Sequence, residues 1–281
     1  MRKIMDFNDS WTFQKGDSEI ISVTLPHTWN AKDGTDGGND YWRGTAEYRK
    51  VFAKPELLPH ERLFIEFQGA AMTADVSLNG QDLAHHEGGY STFRADLTDA
   101  LQQENRLLVR VDNGENDRVY PQKADFTFYG GLYRDVKLIV VPEEHFELIE
   151  SGTPGIHVST VLSDDLSQVT VTVRTWHNAD QVTITVNGEE KTVKDTAEFV
   201  IDNPHLWNGK KDPYLYTAKA VLLSGDEVSA DFGIRKIAFD PSVGFILNNQ
   251  PLRLVGTARH QDREYSYSPN TNHHQFSFIW T

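Results

Sequence analysis

The chain has 281 residues, 41 of them acidic and 27 basic, for a formal net charge of −14, and no cysteine. The missing cysteine excludes disulfides and thiolate metal sites. The charge argues against nucleic acid, which needs clustered Lys and Arg against phosphate, and against an anionic membrane surface. The length suits two ordinary domains and part of a third, and no apolar run approaches the ~20 residues that span a bilayer. Met1-Arg2-Lys3-Ile4-Met5 runs at once into Asp6 and Asn8 with no apolar signal core. The expectation is a cytoplasmic chain if this is the natural start, and a secreted or periplasmic one if the start lies elsewhere.

The dominant period is two, which alternates an inward and an outward face and predicts half-buried strands. Leu63, Ile65 and Phe67 alternate with Phe64 and Glu66; Ala74, Val76 and Leu78 run into Asn79-Gly80. Leu107, Val109 and Val111 follow, then Val136, Leu138 and Val140. Asn-Gly suits a two-residue hairpin because both residues tolerate positive φ. Residues 1–142 therefore read as an antiparallel β-sandwich. Val141-Pro142-Glu143-Glu144 reads as a boundary, and a second series follows: Val169, Val171 and Val173, then Val182, Ile184 and Val186 before Asn187-Gly188. Tyr214, Tyr216 and Val221-Leu222-Leu223 continue it, which predicts an immunoglobulin-like sandwich over 143–240 without a disulfide. In 241–281, Phe245 to Leu252 predicts a hairpin, Leu252 to Val255 is a short apolar run, and Tyr265 to Thr281 is polar, aromatic and aperiodic.

Several stretches together carry a family resemblance. They are Asp40-Tyr41-Trp42-Arg43-Gly44 through Lys50, Asp125-Phe126-Thr127-Phe128-Tyr129-Gly130-Gly131-Leu132-Tyr133-Arg134-Asp135-Val136, and Asn203-Pro204-His205-Leu206-Trp207 with Pro213-Tyr214-Leu215-Tyr216 and Phe232-Gly233-Ile234-Arg235-Lys236. The chain resembles the front part of glycoside hydrolase family 2, most like its β-galactosidases, and Gly256 to Asp262 resembles the first strand and loop of that family's (β/α)8 barrel. The resemblance implies an all-β fold: a jelly-roll-like sandwich, an immunoglobulin-like sandwich and only the first strand of a barrel. The family's retaining chemistry uses two carboxyl groups roughly 5 Å apart, both glutamates from later barrel strands. A closed barrel takes about 250 residues, so the expectation is a truncated, inactive N-terminal portion.

By resemblance, Asp125 reaches the active site, contacts the terminal sugar's hydroxyls and helps hold a monovalent cation. A carboxylate suits this because it accepts two directed hydrogen bonds from vicinal hydroxyls. His260 matches the barrel-strand histidine that approaches the substrate, and Arg259 beside it pairs with a barrel carboxylate. Asn39 supplies an amide contact and Asp40 a sugar contact from the loop between them. Tyr41 and Trp42 read either as an edge of the subsite or, the preferred reading, as sandwich core. Gly130 and Gly131 read as tight backbone geometry, Arg134 as a structural ion pair, and Trp207 and Tyr216 as core.

No metal site is expected. Adjacent His85-His86 and His273-His274 point apart on a strand and lack a third ligand. Members of the family use Mg2+ and Na+, but their divalent site draws on barrel residues, so no cofactor is expected in this chain. No Gly-x-Ser-x-Gly, phosphate-binding Gly-rich loop or His-Glu-x-x-His occurs. The expected ligand is a β-galactoside or other carbohydrate. The rival readings are a stand-alone carbohydrate-binding or interaction module, a fragment complementing a separately encoded barrel, and a β-glucuronidase or β-mannosidase parent. The resemblance leaves a homo-oligomer assembled through the sandwiches among the expectations, with non-specific association through an apolar seam at Phe245, Leu252, Leu254, Phe276 and Phe278 as the alternative.

Overall fold

The computed structural model describes residues 2–31, 33, 41–120, 129–149 and 152–256. The first sandwich is built from ten strands: β1 Lys3–Asp6, β2 Trp11–Lys15, β3 Ile21–Val23, β4 Thr45–Ala53, β5 Glu61–Phe67, β6 Thr73–Leu78, β7 Gln81–Glu87, β8 Phe93–Asp96, β9 Glu104–Asp112 and β10 Val136–Pro142. They form a six-stranded sheet, β3-β2-β4-β9-β6-β7, facing a four-stranded one, β1-β10-β5-β8. All neighbouring pairs are antiparallel. The inward residues of both sheets close one core, in which Trp11, Tyr48, Leu63, Ile65, Phe67, Leu78 and Leu107 are buried. The alternation expected at 63–67, 74–78 and 107–111 is therefore the packing face of the sandwich. Asn79 and Gly80, at φ 53° and 85°, turn β6 into β7 as the Asn-Gly pair requires.

The second sandwich has seven strands: β11 Ile156–Leu162, β12 Gln168–Thr175, β13 Val182–Val186, β14 Glu189–Val193, β15 Thr196–Asp202, β16 Tyr216–Leu222 and β17 Glu227–Phe232. A three-stranded sheet, β11-β12-β15, faces a four-stranded one, β14-β13-β16-β17. This arrangement is the immunoglobulin-like one. Val169, Val171, Val173, Val182, Ile184 and Val186 fill its core with Phe146, Phe199 and Tyr216. Tyr214 and Leu223, expected to continue a strand, instead flank β16 and are exposed.

A three-stranded meander follows: β18 Ile237–Asp240, β19 Gly244–Leu247 and β20 Gln250–Pro251. Asn248 and Asn249, both at positive φ, make the expected hairpin turn, and the expected division at 240 falls at the turn between β18 and β19. Residues 252–256 form no strand and 257–281 lie outside the described residues. No (β/α)8 barrel occurs among the described residues.

Among the described residues, several contacts join the sandwiches. Arg2 donates from Nε and Nη2 to the two oxygens of Asp226 (3.0 and 2.9 Å), whose side chain is fully buried and also accepts the Phe146 amide (2.9 Å). Arg94 binds Glu66 (2.7 Å) and the carbonyls of Leu148 and Thr153 (2.8 and 3.0 Å). Phe64, Ile139, Val141 and Leu148 make a small apolar cluster on the outer face of β5 and β10. That cover explains why 138–141 are buried without a break, for a strand covered on both faces carries a continuous apolar run.

Candidate functional site

Of the residues expected to bind a sugar, Asn39, Asp40, Asp125 and His260 all lie outside the described residues, as does Arg259. The described residues on either side of 34–40 and 121–128 meet at one end of the first sandwich, where two buried amides hold them. Asn30 is 2% exposed and Asn113 fully buried. Asn30 Oδ1 accepts the Gly130 backbone N–H (2.8 Å) and Asn113 Nδ2 (3.2 Å), while its Nδ2 donates to Asp33 Oδ2 (2.6 Å) and Trp42 O (2.9 Å). It thus has a partner for each of the four bonds that an amide side chain commonly makes. Asn113 Oδ1 accepts the Gly44 N–H (3.0 Å), and Asp33 Oδ2 accepts the Trp42 N–H (3.2 Å). Arg43 closes the ring by donating to the carbonyls of Asn113 (2.7 Å) and Gly114 (3.2 Å).

The packing around this knot leaves no slack. Trp29 is buried, stacked on Phe13 (5.9 Å between centroids, 20° between planes) and edge-on to Trp42 (5.5 Å, 74°). Gly130 lies against that indole: a Cβ there would stand 2.0 Å from Trp29 and 2.8 Å from Asn113 Nδ2. Gly131 has φ 121° and a Cβ on it would lie 2.5 Å from the His27 carbonyl. Both glycines thus serve the tight geometry expected of them. Just beneath, His27 Nδ1 and the Tyr48 hydroxyl share a hydrogen bond of 2.8 Å. Burial lowers the His27 imidazole from its ordinary 6.5 to about 4, so it is neutral at pH 7.

Three expectations are corrected. Tyr41 is 48% exposed, so it stands at the rim of this end and not in the core; only Trp42 packs on the core, and from its edge. Arg134 donates to the backbone carbonyls of Tyr90 (2.9 Å) and Gln68 (3.2 Å) and forms no ion pair with a described residue. Trp207 is half-buried, with the Arg235 guanidinium 5.0 Å from its ring centroid, while Tyr216 is in the core as expected.

Tyr120, 85% exposed, and Tyr41 flank the segments 121–128 and 34–40. Exposed phenols of this kind offer an apolar face to the C–H face of a sugar and a hydroxyl to its edge. The histidines at 85 and 86 point to opposite faces. His85 meets Asp75 (2.6 Å), which raises its pKa, while His86 stacks on Phe93 (4.2 Å, 9°) and burial lowers its pKa. Among the described residues no group of three or more His, Asp or Glu side chains could hold a metal.

The sequence reading missed Asn30, Asn113 and Arg43. Trp29-Asn30 and Asp112-Asn113-Gly114 mark chain reversals by composition, but the bond joining the two amides spans 83 positions and leaves no local trace.

Comparison with known proteins gives these features a setting. Residues 38–131 match the family described as glycosyl hydrolase 2 galactose-binding domain-like, and residues 154–235 match glycosyl hydrolases family 2. A β-glucuronidase of Bacteroides fragilis is 34% identical over 95% of this chain and 43% of its own length. A β-galactosidase of Thermoanaerobacter pseudethanolicus is 28% identical over 92% of this chain and 37% of its own. The crystal structure of an FMN-binding β-glucuronidase from Faecalibacterium prausnitzii superposes with a TM-score of 0.87, at 38% identity, over 94% of this chain and 44% of that one. The chain spans less than half the length of each of these proteins.

Proposed function

Since the chain belongs to glycoside hydrolase family 2, we propose that it forms the accessory, sugar-positioning part of a retaining β-glycosidase acting on terminal β-galactosides or β-glucuronides. The observation that carries this reading is the pair of matched sandwiches in order, 38–131 then 154–235, with both loops of the first rooted in one buried knot. On this reading Asp125 accepts hydroxyls of the terminal sugar, Asn39 and Asp40 contact it from the facing loop, and His260 approaches it from the start of a barrel. The protonation and the nucleophilic attack belong to a carboxyl pair roughly 5 Å apart, supplied by barrel strands beyond the residues considered. The β-galactoside reading follows from the sequence around Asp125. The β-glucuronide reading is favoured by the 34% and 38% identities to β-glucuronidases, against 28% to the β-galactosidase.

The test is an assay of the purified 281-residue polypeptide with chromogenic β-galactoside and β-glucuronide, beside the Bacteroides fragilis relative. The expected outcome is turnover by the relative alone. Reproducible hydrolysis by the 281-residue polypeptide, free of host enzyme, would place a carboxyl pair inside the sandwiches and overturn the accessory assignment.

A further inference from the structure

The geometry points to Asn30 and Asn113 as positioning residues that tie together the described ends of the 30–44 and 113–130 segments, so that the two bases loosen together. The inference rests on the proposed function for its sugar-binding consequence, but its structural part stands on described residues alone. The first segment is closed at its own base: Asp33 accepts the Trp42 amide, and Asn30 donates to the Trp42 carbonyl. Each base is then tied to the other loop. Asn30, entering the first, accepts the amide of Gly130, which leaves the second. Asn113, entering the second, accepts the amide of Gly44, which leaves the first. The Asn113 Nδ2 to Asn30 Oδ1 bond (3.2 Å) joins the two halves.

A buried amide left with an unmet bond is costly, so loosening one base disturbs the other. Buried networks with every group satisfied specify one arrangement. Here the arrangement specified is the spacing of the ends of the two segments in which the proposed function places Asn39, Asp40 and Asp125. Gly130 sharpens the constraint, because its Cα is pressed on Trp29 and cannot retreat.

The chemistry separates this role from packing. Asn113→Asp keeps volume and the acceptor for Gly44 but turns the bridging donor into an oxygen facing Asn30 Oδ1. Asn30→Asp keeps the acceptor for Gly130 and Asn113 but sets an oxygen against Asp33 Oδ2 and the Trp42 carbonyl. Amide hydrogen exchange followed by NMR on the 281-residue protein is therefore expected to rise at least tenfold at both Gly130 and Trp42 in Asn113→Asp, with β12 and β13 unchanged. In Asn30→Asp, the disturbance starts at the Trp42 end, and the same rise at both Trp42 and Gly130 is expected. A rise confined to one segment in either variant would overturn the inference. The wild type gives an independent arm should either variant fail to fold: across a urea series, Gly130 and Trp42 are expected to lose protection together, and unlinked protection would count against the coupling.

Titration with methyl β-galactoside and methyl β-glucuronide tests the consequence. At least a tenfold loss of affinity in Asn113→Asp is expected, and undiminished affinity would remove the positioning role. A wild-type protein that binds neither sugar would count against the proposed function, and the exchange experiment would then decide the coupling by itself.

Discussion

Gly130 and Gly80 show how differently one residue type can be constrained. A Cβ at Gly130 would overlap the Trp29 indole at 2.0 Å, whereas a Cβ at Gly80 meets nothing within 4 Å and only the φ of 85° is at stake. Gly130→Ala is expected to cost about 3 kcal/mol, the upper end for forcing a methyl into a packed site. Gly80→Ala is expected to cost about 1 kcal/mol, the penalty for positive φ alone. Urea midpoints of the two variants give the comparison. His27 supplies a pH dependence. Its folded pKa of about 4 lies below the ordinary 6.5 because the ring is buried beside Phe13 and Tyr48. Below pH 6.5 the unfolded chain takes up a proton that the folded chain refuses. The stability contribution is therefore complete above 6.5 and falls away as the pH drops towards 4, by on the order of 3 kcal/mol. Urea titrations between pH 7 and 4 should show this slope in wild type and lose much of it in His27→Asn.

At the scale of strands, how much could be read beforehand depended on distance along the chain. Val169, Val171 and Val173, or Leu107, Val109 and Val111, announce a strand and its buried face because the period is local. Asn79-Gly80 and Asn187-Gly188 announce their turns because the positive φ angles belong to the pair itself. Phe64 is different. By alternation with Leu63 and Ile65 it belongs on the outer face of β5, yet it is 2% exposed, since the segment after β10 brings His145 within 5.4 Å of its ring and Leu148 against it. The knot at Asn30 and Asn113 escaped for the same reason, and the residues expected to bind sugar lie outside the described residues. Phe64→Ala is expected to cost about 3 kcal/mol, as for a core phenylalanine. Val51→Ala, at a position 62% exposed on β4, should stay within about 0.5 kcal/mol. Thermal unfolding of both variants distinguishes an outer face that is covered from one that is wet.

Across the whole molecule, the pairing of Arg2 with Asp226 makes the two sandwiches one mechanical piece. The carboxylate is fully enclosed and the guanidinium side chain 15% exposed, so Arg2→Ala leaves a buried charge without its partner and is expected to cost about 3–5 kcal/mol. Arg106→Ala removes a pair in which both side chains are more than two-thirds exposed and should change stability by less than about 1 kcal/mol. Denaturant unfolding read separately from tryptophans of the first sandwich and of the second would show whether Arg2→Ala also parts the two transitions.

The same ion pair sets an order of events during synthesis. Its partners lie 224 positions apart, and a ribosome adding about 5–20 residues per second needs on the order of ten seconds or more to cover that distance. Arg2 leaves the tunnel long before Asp226 is translated, so the nascent first sandwich must hold β1 in place through its own contacts, chiefly the pairing with β10. The Arg94 contacts and the Phe64–Leu148 cluster need nothing beyond residue 153, so this ion pair closes later than the rest of the junction, and a stalled chain would present Arg2 with no carboxylate to meet it.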